Sequence, residues 1–127
     1  MTALILDAGA FVAFERGDIR TIARLRVAQT ERYRLRTASI VIAQVWRSAG
    51  GRQARLARLL RAVQIVDVDL ELAKAAGELL GLARASDVVD ASVVVVAEEG
   101  DDILTSDVRD IQVLVGASRK RIGVVAC

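Results

Sequence analysis

The chain has 127 residues, 54% of them hydrophobic, with no proline, which suits a single domain over 1–127 with an adequate core. Its longest stretch without a charge, Thr37 to Trp46, has ten residues against the roughly 20 needed to cross a bilayer, so no membrane span is expected. The formal charge of +2 hides a polarity: Arg16 to Arg61 carries twelve arginines against two acids, whereas from Ala62 onward six basic residues face twelve acidic ones. A basic segment attracts polyanions and an acidic one can hold divalent cations, although both are also what ordinary solvated faces look like. The opening "MTALILDAGA" lacks a basic leader and meets Asp7 too early for a signal peptide. The lone Cys127 can form no internal disulfide, so a cytoplasmic setting is expected.

In chain order, "ALIL" before Asp7 reads as a short strand. "AGAFVAFERGD" follows as a helix with Gly17 as its stop, carrying Phe11 and Phe14 at i, i+3 for the core or a partner groove. A basic helix is predicted from about Ile19 to Glu31, then a strand near Tyr33 to Thr37. Ser39 can cap a helix through "IVIAQVWRSA", stopped by Gly50 and Gly51. "RQARLARLLRAV" is amphipathic, with Leu56, Leu59, Leu60 and Val63 on one side and its arginines elsewhere; "QIVDVD" is a strand. Asp69 can cap the helix "LELAKAAGELLGLARA", in which Gly77 and Gly81 suggest helix packing. "SDVVDASVVVVAEEG" is ambiguous, because Val93 to Val96 favour a strand. A helix is preferred, with Ser86 as cap, Asp87 and Asp90 in the first turn and Gly100 as stop. The strand "DILT", a short helix and the strand "IGVVA" complete the chain. Strands alternating with helices predict an α/β fold with a central, mostly parallel β-sheet flanked by helices on both faces.

In such a sheet ligands bind beyond the carboxyl ends of the strands. Asp7 and Asp107 both follow strands, and Asp90, near the start of its helix, can join them. Any one of the three could be only a helix cap or a surface acid; three at one edge point to a cation, which offsets the repulsion of grouped carboxylates. All-oxygen ligation favours Mg²⁺ or Mn²⁺ over zinc. The chain contains no His, which removes the usual general base and the Ser-His triad, and it has neither a P-loop lysine motif nor G-x-G-x-x-G. Metal-activated water acting on a phosphodiester is the chemistry that remains. With few aromatics to stack bases, a nucleic acid would be held by arginine contacts to phosphate, and Arg52, Arg55 and Arg58 are the candidates beside a plain solvated face.

"LILDAGAFVAFERGD", "SIVIAQVWR", "SDVVDASVVVVA" and "ILTSDVRDI" occur in the order and spacing of PIN-domain ribonucleases, and the whole chain resembles a VapC-type toxin of a toxin–antitoxin pair. The resemblance implies a PIN fold, Mg²⁺- or Mn²⁺-dependent cleavage of RNA, a homodimer, neutralisation by a VapB-type antitoxin, and contact with DNA only through that antitoxin. Carried over by position, Asp7, Asp90 and Asp107 match the family's catalytic, metal-holding acids, and Asp87 and Asp110 match acids that recur in part of it. There is one departure. The family's second acid is a Glu in the helix represented by "SIVIAQVWR", where this chain has Gln44, and no acid stands between Glu31 and Asp67 to replace it. A neutral carbonyl oxygen there can hydrogen-bond or ligate weakly, with one negative charge fewer. That keeps open an alternative, a catalytically weakened PIN protein that works by binding antitoxin, RNA or operator DNA. A haloacid-dehalogenase-type phosphatase also begins strand-Asp, but it needs a second Asp where Gly9 stands.

Overall fold

A computed structural model describes residues 2–48 and 50–127; Met1 and Ala49 lie outside the described residues, and Ala49 is the last residue of the helix expected after Ser39. Five strands, β1 (Ala3–Leu6), β2 (Arg34–Ala38), β3 (Val63–Val66), β4 (Asp102–Thr105) and β5 (Gly123–Ala126), form one sheet in the order β3-β2-β1-β4-β5. Every neighbouring pair is parallel. Among the described residues the helices are α1 (Ala8–Glu15), α2 (Ile19–Thr30), α3 (Ser39–Val45), α4 (Ala54–Leu60), α5 (Leu70–Ala83), α6 (Val88–Val96) and α7 (Val108–Ser118). Helices α5, α6 and α7 pack on one another, with α6 against β1 and β2, while α1 packs on α2, α3 and α4 and against β1 and β4. This is why "ALIL" is apolar at every position rather than alternating: the central strand β1 is buried at all four residues, as in a parallel sheet covered on both faces.

The strand starts are pinned by Asp101. Its carboxylate accepts hydrogen bonds from the backbone N–H of Ala3 (2.9 Å) and of Glu98 (2.8 Å), and pairs with the buried Arg36 guanidinium at 3.2 Å. Arg36 in turn donates to the Val96 carbonyl and to Gln64 Oε1. One buried ion pair therefore ties β1, β2, β3 and the end of α6 together, and removing either partner would strand a buried charge at a cost of about 3–5 kcal/mol. The register it sets pairs Leu6 with Leu104. The residues leaving β1 and β4 are consequently side by side.

Several local expectations give way, most of them to tertiary partners. Ser39 is the first residue of α3 rather than its cap, and its Oγ accepts from the Val68 backbone N–H at 3.1 Å, holding the end of β3. Helix α3 stops at Val45, short of Gly50 and Gly51, because the Gln53 amide closes it: Nε2 donates to the Val45 carbonyl (2.9 Å), and Oε1 accepts from the N–H groups of Arg47 (2.8 Å) and Ser48 (3.1 Å). With Gln53 so engaged, α4 begins only at Ala54 and leaves Arg52 in the preceding turn. Helix α6 is capped by Asp87 instead of Ser86 and ends at Val96 instead of running to Gly100. The Lys120 ammonium replaces the glycine stop, donating to the carbonyls of Val94, Val95 and Ala97. Gly77 and Gly81 lie on the exposed side of α5, where an added Cβ would meet nothing within 4 Å, so helix packing does not require them. Asp69 caps α5 as expected, accepting from the Leu72 N–H, and Asp18 caps α2, accepting from the Thr21 N–H. No described helix is long and apolar enough to cross a membrane.

Candidate metal centre

The chain runs from β1 outward to β2 and β3, then returns to place β4 on the other side of β1. Connections leaving β1 and β4 diverge, which opens a crevice at their carboxyl ends. Asp7 stands in it. Its N–H donates to the Leu104 carbonyl (3.1 Å), its Oδ1 accepts from the Ala8 N–H as the cap of α1 (2.8 Å), and its Oδ2 accepts from the Thr105 hydroxyl (2.7 Å). The same Thr105 oxygen accepts from the Asp107 N–H at 2.9 Å. Thr105 is fully buried and joins two of the three expected acids. Asp107 occupies the cap position of α7, yet its carboxylate makes no capping hydrogen bond and is exposed. Asp90 enters from α6, whose first turn is anchored by Asp87 Oδ1 accepting from the N–H groups of Val89 and Asp90 at 3.0 Å each.

Asp7, Asp90 and Asp107 each offer a carboxylate oxygen, and these oxygens lie within 4.8 Å of one another. Asp7 is 3% exposed and Asp90 5%. Burial raises the Asp7 pKa, opposed by the hydrogen bonds from Thr105 and Ala8. Burial and then the charges of Asp7, Asp87, Asp107 and Asp110 push Asp90 up to about 7. The difference has a plain cause: Asp7 is solvated by protein donors, whereas no described residue donates a hydrogen bond to the Asp90 carboxylate. Such a group gives up its proton only around neutral pH, and a cation arriving beside it would favour the ionised form.

Two contributors were not visible as such in the sequence. Thr105 acts only once β1 and β4 are neighbours. Gly9 lets the start of α1 pass against the turn after β4, where an added Cβ would come within 2.8 Å of Ser106 Cβ. The "T-S-D" and "D-A-G" triplets were the signals that could have pointed to them.

A sequence profile described as the PIN domain matches residues 4–114. The chain belongs to the PIN-domain family. A solved structure, VapBC2 from Rickettsia felis bound to a DNA fragment from their promoter, superposes with a TM-score of 0.71 at 13% sequence identity, covering 99% of this chain and 99% of that one, a likeness of fold. A search among curated proteins returns no match. In this PIN domain Gln44 is exposed on α3, a helix that packs against α1 and α6. Asp87 and Asp110 stand outside the converging set, Asp87 as the cap of α6 and Asp110 exposed in the first turn of α7. Arg55 and Arg58 line a groove of about 410 Å³ together with Phe14 and Leu59, while Arg52 is exposed in the turn before α4. The Arg55 guanidinium lies over Gly17 at the far end of α1. The eight residues of α1, at about 1.5 Å each, put about 12 Å between Asp7 and the end of that helix. The arginines border the acid cluster along α1 rather than share it.

Proposed function

We propose that this PIN domain is a metal-dependent endoribonuclease, the toxin of a toxin–antitoxin pair, neutralised by a VapB-type antitoxin and active as a cytoplasmic homodimer. The observation that carries the reading is the convergence of Asp7, Asp90 and Asp107 within 4.8 Å at the carboxyl edge of a parallel sheet. PIN domains are generally nucleases, and the Rickettsia felis structure with the same fold is of a VapBC pair on promoter DNA; by analogy DNA would be reached here only through the antitoxin. The donor set fits Mg²⁺ or Mn²⁺, being all oxygen and anionic on a fixed backbone. When bound, such an ion supplies positive charge against the phosphodiester and lowers the pKa of water at its surface.

The chain's own part is positional. Thr105 and the Ala8 N–H hold Asp7 so that its carboxylate is aimed before any ion arrives, and hydrogen-bonded partners of this kind fix ligand geometry. Asp90 is the buried wall and Asp107 the exposed rim. Arg52, Arg55 and Arg58 attract the RNA phosphates flanking the cut, an interaction that salt weakens.

The test is calorimetric titration of Mn²⁺ into the protein and into Asp7→Asn, Asp90→Asn and Asp107→Asn, with RNA cleavage followed in parallel. Loss of binding and of cleavage in each variant is expected; unchanged Mn²⁺ binding in all three would overturn the site. The second reading, a PIN protein that works by binding, rests on the neutral Gln44 and would be favoured by intact Mn²⁺ binding with no cleavage of any RNA.

A further inference from the structure

Beside the acid cluster a cleft of about 320 Å³ opens between the α5–α6 connection and α7, floored by Ala83 and Leu114 and rimmed by Arg84, Asp87, Asp110 and Val113. Asp90 is the wall it shares with the cluster: 5% exposed, lining the cleft, and receiving no hydrogen bond on its carboxylate from any described residue. A second cation is a poor occupant. Asp87 and Asp110 fall outside the set of oxygens that converge. Acids that diverge around an apolar floor, with one guanidinium beside them, instead match a flat group that has apolar faces, N–H donors on its edge and a phosphate attached. That description is a nucleotide.

We propose that this cleft is the base subsite for the nucleotide next to the scissile phosphate of a single-stranded RNA, with Arg84 against a phosphate and Asp110 accepting from the base edge. The inference rests on the ribonuclease reading above and adds a substrate preference to it. An ionised carboxylate accepts hydrogen bonds and cannot donate them. Guanine offers it N1–H and N2–H together, adenine and cytosine one amino group each, and uracil a single N3–H between two carbonyl oxygens that repel it. The preferred base is therefore guanine and the least favoured uracil. The cleft adjoins the cluster through Asp90, so the selected base sits next to the bond that is cut.

The first experiment needs no metal: the four nucleoside 5′-monophosphates are titrated into the metal-free protein, and amide shifts are followed by NMR. Shifts concentrated at Arg84 to Asp87 and around Val113, largest with GMP and smallest with UMP, are expected. Val113 is 52% exposed, so Val113→Trp can fill the cleft from its rim, and it should erase those shifts. In the second experiment a randomised RNA pool is cut in Mn²⁺ and the ends are sequenced. The protein should favour guanine over uracil next to the cut by about tenfold, the lower range of what a paired base-edge contact confers, and Asp110→Asn should flatten that preference. Shifts that fall elsewhere or are equal for all four nucleotides, or a cleavage preference unchanged in both variants, would overturn the subsite. A protein that binds GMP in the cleft but neither binds Mn²⁺ nor cuts RNA would keep the subsite and remove the nuclease.

Discussion

Asp90→Asn separates what the acid cluster costs the fold from what it does for the ion. In the metal-free protein Asp90 is raised from 3.8 to about 7, first by burial and then by four neighbouring carboxylates. The folded protein therefore holds a proton that the unfolded chain has released. Between about pH 4 and pH 7 the native state binds more protons, and stability falls as pH rises through that window. A rise of about 3 units, at 1.36 kcal/mol each, sets an upper bound of about 4 kcal/mol on the destabilisation carried at pH 8. An asparagine removes the charge but brings an amide that needs partners in the same buried place, an offset of about 1–3 kcal/mol. The net expectation is a gain of about 1–3 kcal/mol at pH 8, or about 4–12 °C in Tm for a domain of this size. At pH 5 only about one unit of that rise is expressed, about 1.4 kcal/mol, which the cost of the buried amide offsets, so the variant should gain nothing. Mn²⁺ should reverse the ranking, because the wild type gains about 2.7 kcal/mol at a hundred times Kd whereas a variant that has lost a ligand gains little. Thermal unfolding at pH 5 and pH 8, with and without Mn²⁺, measures all four quantities. A variant no more stable than wild type at pH 8 without metal, or one that keeps the full Mn²⁺ shift, would refute the reasoning.

Thr105→Val removes the hydroxyl shared by Asp7 and Asp107; Mn²⁺ affinity should fall about 10- to 100-fold, as for other partners of metal ligands, and calorimetry reads it directly. Gly9→Ala should cost about 1–3 kcal/mol by overpacking despite the better helix former, and should weaken Mn²⁺ binding by displacing the Ser106–Asp107 turn; a variant more stable than wild type in denaturant titration contradicts the close approach. Replacing Arg52, Arg55 and Arg58 by Gln should lower the slope of log K against log salt for single-stranded RNA by about 2, at roughly 0.7 per phosphate contact; an unchanged slope assigns them another role. Gln44→Glu adds a negative charge at nearly constant size, so it should tighten Mn²⁺ and speed RNA cleavage; equal or lower activity at every Mn²⁺ concentration would show that the glutamine is adapted to its place.

The strands, and the edge at which Asp7 and Asp107 emerge from them, were legible because their signals are local. An apolar run such as "ALIL" or "DILT" that ends in a polar turn needs no knowledge of the rest of the chain, and parallel strands deliver such turns to one edge. Helix α6 was legible despite four consecutive valines: a cap at its start and burial of six of its nine residues outweigh a β-branched preference that is modest and context-dependent. What failed was choosing between neighbouring cap candidates. Ser39 lost its expected role because Val68, 29 residues away, needed an acceptor, and Gly100 lost its role because Lys120 already satisfied the carbonyls at the end of α6. A free N–H or carbonyl takes whichever partner the fold brings nearest, and sequence spacing cannot rank a partner that arrives from another element. The same logic hides Thr105 and Gly9. Each is unremarkable on its own segment, and each acquires its role only when the Leu6–Leu104 register sets the ends of β1 and β4 together. The places of Asp7 and Asp107 can be read from one strand at a time, while the groups that hold them belong to the contact between strands.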